Sequence, residues 1–390
     1  MTHPASAPLQ GREAVFPAPE FERRLDALRV RLAETGAEAL LVTGPENIFW
    51  CTGRQTAGYF AFQALVLPAS GAPVLLVREL ERMSALTGTW IGDIRLWGDG
   101  TDPAQALAGI VRQMGIARLA VDRRGWFVSA EMSEHIASAL SGVTLLDGSG
   151  MVEALRMVKS APELAAIRKA AGYAQAGLSA AIEACGAGVS ENEVAAEMMA
   201  AAIRAGSEAM AMEPLVSSGP RSGVPHATWR RRIMAAGDGV FLELAASHDR
   251  YHAALMRSVW IGTPPAEVQA MMDCADRALE AALAAIRPGA PCAAPHAAAQ
   301  AVIDGAGYTA AFRKRIGYSM GAAFAPDWGE GAILSLFDGV TQPLAPGMVF
   351  HLPATLRSYG EFTVGASETV IVTETGAEVL SDLPRGITIR

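Results

Sequence analysis

Gly237-Asp238-Gly239-Val240-Phe241-Leu242-Glu243-Leu244, followed by the run from Tyr251 to Gly262, decides how this chain is read. The first stretch alternates: Phe241, Glu243 and Ala245 share one face of a strand and Leu242 and Leu244 the other, as a side-chain period of two requires. A carboxylate set among Phe-Leu-x-Leu-Ala-Ala is costly to bury alone, so a cation is expected to meet it. Arg257 is one candidate for a structural ion pair; the competing reading makes Glu243 a functional group.

Around this stretch, residues 160–390 alternate long Ala-rich helical segments (163–184, 191–206, 265–286, 294–306) with β-rich stretches at 239–246, 251–260, 347–356 and 362–373. Alanine richness favours helix and close helix packing and needs no functional explanation. Upstream, Phe21, Leu25, Leu28 and Leu32 recur at helical spacing before the strand Ala39-Leu40-Leu41-Val42. Further strands are expected at 64–67, 74–77, 118–121 and 143–146, with helices near 103–115 and 128–140. Strands alternating with helices indicate a three-layer α/β domain. Ser160, followed by Pro162 and Glu163, suits the N-cap and first turn of a helix. The expected division is a flexible N-terminus over 1–18, one domain over 19–158 and a second over 159–390.

The 390-residue length fits two domains. Half the residues are apolar and 18% are charged, which supports a large core rather than disorder. A net charge of −8 argues against nucleic acid as a partner. Cys51, Cys185, Cys274 and Cys292 lie far apart with no CxxC pair, so neither a zinc knuckle nor a disulfide framework is indicated. Residues 1–18 contain no apolar core of a signal peptide, and no stretch reaches the roughly 18 continuous apolar residues of a membrane span. The expectation is a cytoplasmic protein with a small-molecule substrate and no membrane partner.

The stretch around Glu243 resembles the start of the catalytic domain in the creatinase, prolidase and methionine aminopeptidase superfamily. This resemblance implies a creatinase-like three-layer α/β domain followed by a pita-bread α+β catalytic domain. The turn Leu155-Arg156-Met157-Val158-Lys159-Ser160-Ala161-Pro162-Glu163 is similar to that superfamily's hinge. Peptide-cleaving members place five metal ligands at positions that here read Glu243, Ala254, Tyr318, Pro353 and Ser367. A slip of one residue would put Glu368 at the last of them. Divalent metals need several carboxylates or imidazoles in near-fixed geometry, so the resemblance implies the scaffold without its metals and no cofactor.

Four motifs within roughly residues 217–330 together resemble the ectoine hydrolases: Pro225-His226-Ala227-Thr228-Trp229, the strand Phe241-Leu242-Glu243, the segment from Tyr251-His252 to Arg257, and Gly317-Tyr318 with Pro326-Asp327-Trp328-Gly329-Glu330. The implied catalytic pair is Glu243 and His226, imidazole being suited to proton transfer near neutral pH. The implied substrate contacts are Tyr318, His252, His351, Trp229, Trp328, Glu330, Asp327 and Arg257, joined by Arg54 and Tyr59 of the N-terminal domain. Tyr318 keeps a polar tip on a rigid ring. The segment Trp50-Cys51-Thr52-Gly53-Arg54-Gln55-Thr56-Ala57-Gly58-Tyr59-Phe60 departs from the Trp-rich pattern of ectoine hydrolases. In creatinase-like homodimers this loop reaches the partner's active site.

The reading is a metal-independent hydrolase opening a C–N bond of a small zwitterionic nitrogen compound, with ectoine, a cyclic amidine, as leading substrate. One of Arg54, Arg257 or Arg315 would hold the substrate carboxylate. Three alternatives stay open: a metal-dependent Xaa-Pro peptidase with displaced ligands, a relocated Glu243/His252/His351 metal site, and an inactive scaffold that binds a ligand or partner.

Overall fold

The computed structural model describes residue 11 and residues 13–390, so the expected flexible N-terminus lies largely outside the described residues. The chain divides into two compact units, with the seam after Arg156. No helix among the described residues is long and apolar enough to cross a membrane.

The first unit is built on a six-stranded sheet: β1 (Ala39–Val42), β2 (Ala64–Pro68), β3 (Val74–Arg78), β4 (Asp93–Trp97), β5 (Arg118–Val121) and β6 (Thr144–Asp147), in the order β4-β3-β2-β1-β5-β6. Alternation sorts its residues to two cores. Leu40, Val42, Leu65, Leu67, Leu75 and Val77 pack with Leu25, Leu28 and Leu32 of α1 (Ala18–Thr35), with α2 (Pro45–Thr52) and with α6 (Met151–Arg156). Ala39, Leu41, Ala64, Val66, Val74 and Leu76 pack with α4 (Pro103–Gln113) and α5 (Ala130–Ala139). This is the three-layer arrangement expected from the sequence.

Four elements escaped that reading, the short helix α6 among them. The edge strand β4 is partly exposed and carries a local Arg95–Asp93 pair. Helix α2 is buried almost all round, so it lacks an amphipathic period. Helix α3 (Arg82–Gly88) is a short two-turn piece.

The second unit opens with α7 (Ala161–Ala184). Glu163 accepts the Ser160 N–H at 2.8 Å and the Tyr251 hydroxyl at 2.9 Å, so one carboxylate both caps the helix and ties it to the sheet. Next come α8 (Glu191–Ala205), β7 (Leu215–Ser218), β8 (Gly239–His248), β9 (Tyr251–Trp260), α9 (Ala266–Ala285) and α10 (Ala293–Gly305). They are followed by β10 (Gly317–Ser319), β11 (Ser335–Leu336), β12 (Val349–Ser358), β13 (Phe362–Val372), β14 (Ala377–Val379) and β15 (Ile387–Ile389). The nine strands form one sheet with the path β11-β10-β12-β13-β9-β8-β7, β14 pairing with β13 and β15 with β9.

Helices cover one face of this sheet. Val240, Leu242, Leu244, Leu255 and Val259 pack under α7 and α8. Phe350, Leu352, Ala354, Val364, Ala366 and Val370 pack under α9 and α10. The two halves meet where β9 and β13 share a single ladder pair, Ser367 with Met256. Side-chain hydroxyls replace the missing ladder: Thr369 Oγ1 bonds both backbone groups of Ala254, and Ser258 Oγ bonds both of Gly365. Gly365 has φ 141° and lies so close to β12 that a Cβ would meet the Ala354 carbonyl oxygen at 2.3 Å, which only glycine tolerates.

Candidate active site

Register and parity define the site. Residues directly opposite one another in a ladder share a face. Glu243 stands opposite Met256, Met256 opposite Ser367, and Ser367 opposite Pro353. The next row runs Ala245, Ala254, then Thr369, His351 and Tyr318. All of these turn away from the helix layer. The sheet thus gathers Glu243, Ala254, Tyr318, Pro353 and Ser367, scattered over 125 residues, on its open face.

Parity also settles which C-terminal residue belongs there. Ser367 faces the site, whereas Glu368 points into the helix layer. There it accepts from Arg257 Nη2 at 2.9 Å and Arg385 Nε at 3.0 Å, both Arg257 and Glu368 being almost fully buried. Arg257 further donates to the carbonyls of Met256, Ser367, Leu383 and Pro384. This corrects the expectation that Arg257 contacts substrate or pairs with Glu243: its odd position on β9 sends it through the sheet to the other face.

A polar chain occupies the far end of the open face. Trp328 Nε1 donates to the Tyr318 hydroxyl at 2.8 Å, which lies 2.9 Å from His351 Nδ1, and His351 Nε2 lies 2.6 Å from Ser367 Oγ. An indole N–H only donates, so the phenol hydrogen is free to go to Nδ1. The network then assigns the His351 proton to Nε2, donating to Ser367. Burial lowers the His351 pKa to about 3, with the Lys314 charge adding to the effect. Burial, then the Glu243 charge, raises that of Tyr318. Both groups are therefore neutral hydrogen-bonding partners at physiological pH. Arg315 backs Tyr318, its guanidinium carbon 4.8 Å from the ring centre, while bonding Gly331 O and Ser335 Oγ.

Glu243 is 8% exposed and has no hydrogen-bond or ion-pair partner among the described residues. Burial pushes its pKa up to about 7, against the opposing pull of Lys314 and then Arg357. Lys314 is pushed down to about 7, again chiefly by burial. Its Nζ donates to the Pro353 carbonyl at 2.7 Å. The sequence reading missed Lys314, masked in Arg313-Lys314-Arg315 as an ordinary basic surface run, and Arg357, whose parity with His351 and Pro353 was the available signal.

The other expected residues are distributed as follows. His226 is exposed in the loop after β7, with φ 55°. That loop is pinned over the β12–β13 turn by Gly360 N–H to Gly223 O and Thr363 Oγ1 to Ser222 O. A Cβ on Gly223 would lie 2.4 Å from Glu361 N, so the docking requires glycine. Trp229, half-buried, packs against the core under α7 and α8. His252 shares the parity of Ala254 but is locked at the hairpin end: its Nε2 accepts from Ala211 N–H at 3.2 Å and its Nδ1 meets Arg250 O at 2.8 Å. With both nitrogens engaged it is a core histidine. Glu330 is ion-paired with Lys159 at 2.8 Å and bonded to Ser319, and Asp327 caps Gly329 N–H in its own turn. In the first unit Arg54 bonds Gln63 and Glu81, and Tyr59 lies on the short turn Ala57–Phe60.

The donor set does not suit a divalent metal. Among the described residues no three of His, Cys, Asp or Glu come together as ligands, which also removes the Glu243/His252/His351 alternative. The positions that would complete the set hold a methyl group, a phenol, a proline and a serine hydroxyl.

Comparison with known proteins agrees with this architecture. The model of metallopeptidase family M24 matches residues 165–374, and that of the creatinase/prolidase N-terminal domain matches residues 24–158. An uncharacterized hydrolase/peptidase of Sinorhizobium fredii is 30% identical over 96% of this chain and 98% of its own length. An ectoine hydrolase of Halomonas elongata is 27% identical, with the same coverage of both chains. The crystal structure of dipeptidase PepE from Mycobacterium ulcerans superimposes with a TM-score of 0.83 at 28% identity, covering 96% of this chain and 99% of that one.

Proposed function

Since this chain belongs to metallopeptidase family M24 and carries a creatinase/prolidase N-terminal domain, we propose that it is a hydrolase of that family that has exchanged metal chemistry for side-chain chemistry. In this reading it opens a C–N bond of a small zwitterionic nitrogen compound, with ectoine, a cyclic amidine bearing a carboxylate, as leading substrate. The observation that carries the proposal is the open face itself: one carboxylate, Glu243, without a protein partner, where the family's ligand positions otherwise hold Ala254, Tyr318, Pro353 and Ser367.

A desolvated carboxylate pairs with an amidinium through charge-assisted hydrogen bonds. The amidinium carbon is already electrophilic, so polarisation by a Lewis acid is needed less than at a peptide bond. Glu243 either takes a proton from water as its oxygen bonds to that carbon, or attacks the carbon itself before water displaces it. In both routes the ring C–N bond breaks and the departing nitrogen gains a proton. His226 is the proposed carrier of that proton, and Tyr318, held by Trp328 and His351, orients the reacting group. A pKa near 7 suits Glu243 to exchange protons at neutral pH.

The same proposal includes a homodimer in which the segment from Arg54 to Phe60 approaches the partner's site; Phe60, 75% exposed at its tip, supports it. The paired test offers the purified protein ectoine and an Xaa-Pro dipeptide, each with and without a chelator. Ring opening of ectoine that survives chelation is the expected result. Dipeptide cleavage restored by manganese or zinc, with ectoine untouched, would replace this reading with the peptidase one.

A further inference from the structure

Several charged side chains of the second unit are in direct contact with an opposite charge. Lys159 meets Glu330 and Arg257 meets Glu368 at under 3 Å, and Arg221 pairs with Glu191 and Arg232 with Asp238. The trio above the open face is arranged differently. Glu243, Lys314 and Arg357 form no ion pair with one another or with any other charge among the described residues, although Glu243 and each of the two cations shift one another's protonation. Removing charge from water is expensive unless a partner replaces the water, and this trio has two cations for one anion.

The two cations are steered from behind. Lys314 Nζ donates one hydrogen to Pro353 O at 2.7 Å, which leaves the other hydrogens of the ammonium for something else. Arg357 stands on the same side of β12 as His351 and Pro353. Its Nε donates to Thr363 Oγ1 at 2.8 Å, Thr363 in turn donates to Ser222 O, and Tyr359 flanks the guanidinium. The arginines suggested by sequence are occupied: Arg257 on the opposite face, Arg315 behind Tyr318, Arg54 by Gln63 and Glu81.

We propose that Lys314 and Arg357 form a carboxylate-binding subsite facing Glu243, so that the open face reads a zwitterion, its cationic end on Glu243 and its carboxylate on the two cations. The inference rests on the hydrolase reading for the identity of the zwitterion, but not for the existence of the subsite. It makes Lys314 and Arg357 specificity determinants: they select substrates that carry an anion at fixed distance from the reacting cation. A neutral-tailed amidine leaves two cations desolvated and unpaired, and is rejected for that reason.

The test compares ectoine with 2-methyl-1,4,5,6-tetrahydropyrimidine, the same ring without the carboxylate, as substrates of the full-length protein. Wild type is expected to prefer ectoine in kcat/KM by about a hundredfold, the span that hydrogen bonds to charged groups supply. Lys314→Met and Arg357→Met should each collapse that ratio at least tenfold, mainly through KM, and Lys314→Arg should restore part of it. An unchanged ratio in both methionine variants, with native circular dichroism, overturns the subsite. If wild type turns over neither compound, the substrate reading fails and acetate decides the subsite alone. A rise in thermal midpoint with acetate in wild type, absent from Lys314→Met, supports it, and equal or no response in the two proteins overturns it.

Discussion

The two faces of the nine-stranded sheet handle charge in opposite ways. On the helix-covered face Arg257 and Glu368 are each about 1% exposed and touch at 2.9 Å, with backbone carbonyls taking the remaining guanidinium hydrogens. On the open face Lys314 is anchored on the Pro353 carbonyl and Arg357 on the Thr363 hydroxyl, while Glu243 forms no ion pair with either. The strands are the same, and adjacent residues such as Ser367 and Glu368 belong to different worlds. A charge held by this sheet is structural where the protein supplies its opposite charge, and available to a ligand where the protein does not.

The sharpest way to break this comparison is to neutralise one charge on each face. Glu243→Gln should lower turnover at least about a thousandfold, near the upper range of acid–base contributions, while leaving the thermal midpoint unchanged or higher. Steady-state kinetics beside calorimetry reads both. Arg257→Met should do the reverse: about 3–5 kcal/mol of unfolding free energy lost, as when one partner of a buried pair is removed, with the folded fraction retaining its activity. Denaturant titration checks it. Arg257→Met combined with Glu368→Met should recover part of that loss. A stable Arg257→Met protein, or a Glu243→Gln protein that unfolds early but still turns over, would reverse the roles assigned to the two faces.

His226→Ala should slow turnover by about 10²-fold with little change in KM, since proton transfer matters in the transition state more than in substrate binding. Unchanged kcat would remove His226 from the mechanism.

The smallest effect is on the pH dependence of stability. Glu243 has a folded pKa raised from 4.5 toward 7, so the folded state holds a proton that the unfolded state has lost, and stability falls as pH rises through that window. Lys314 has a folded pKa lowered from 10.5 toward 7, so between those values the unfolded state holds the extra proton and stability rises with pH. The groups facing this pair are the guanidinium groups of Arg357 and Arg315, with Tyr318 and His351, both neutral at these pH values. Together they predict a shallow minimum near pH 7 in chemical denaturation, absent from the Glu243→Gln, Lys314→Met double variant. A profile of the same shape in both proteins would show that the pair is not coupled to folding.

Local pattern carried much of the architecture. The alternation of Phe241 to Ala245, the apolar spacing of α1, and the Ser160-Pro162-Glu163 cap placed strands and helices to within a few residues, because each depends on neighbours in sequence. Glu243 was legible for the same reason: a lone carboxylate in an apolar alternation is an anomaly wherever the strand lies. Cross-strand partners were not. Whether Ser367 or Glu368 faces the site turns on a one-residue register that no local signal fixes, and the convergence of Lys314 with Arg357 depends on the segment before β10 lying against β12. The tautomer of His351 and the confinement of His252 follow from hydrogen-bond partners supplied by Tyr318, Ser367, Ala211 and Arg250. The sequence by itself determined the framework and the lone carboxylate set in an apolar strand. Tertiary structure alone decided which charges are satisfied and which are left open, because satisfaction is a property of distance in space.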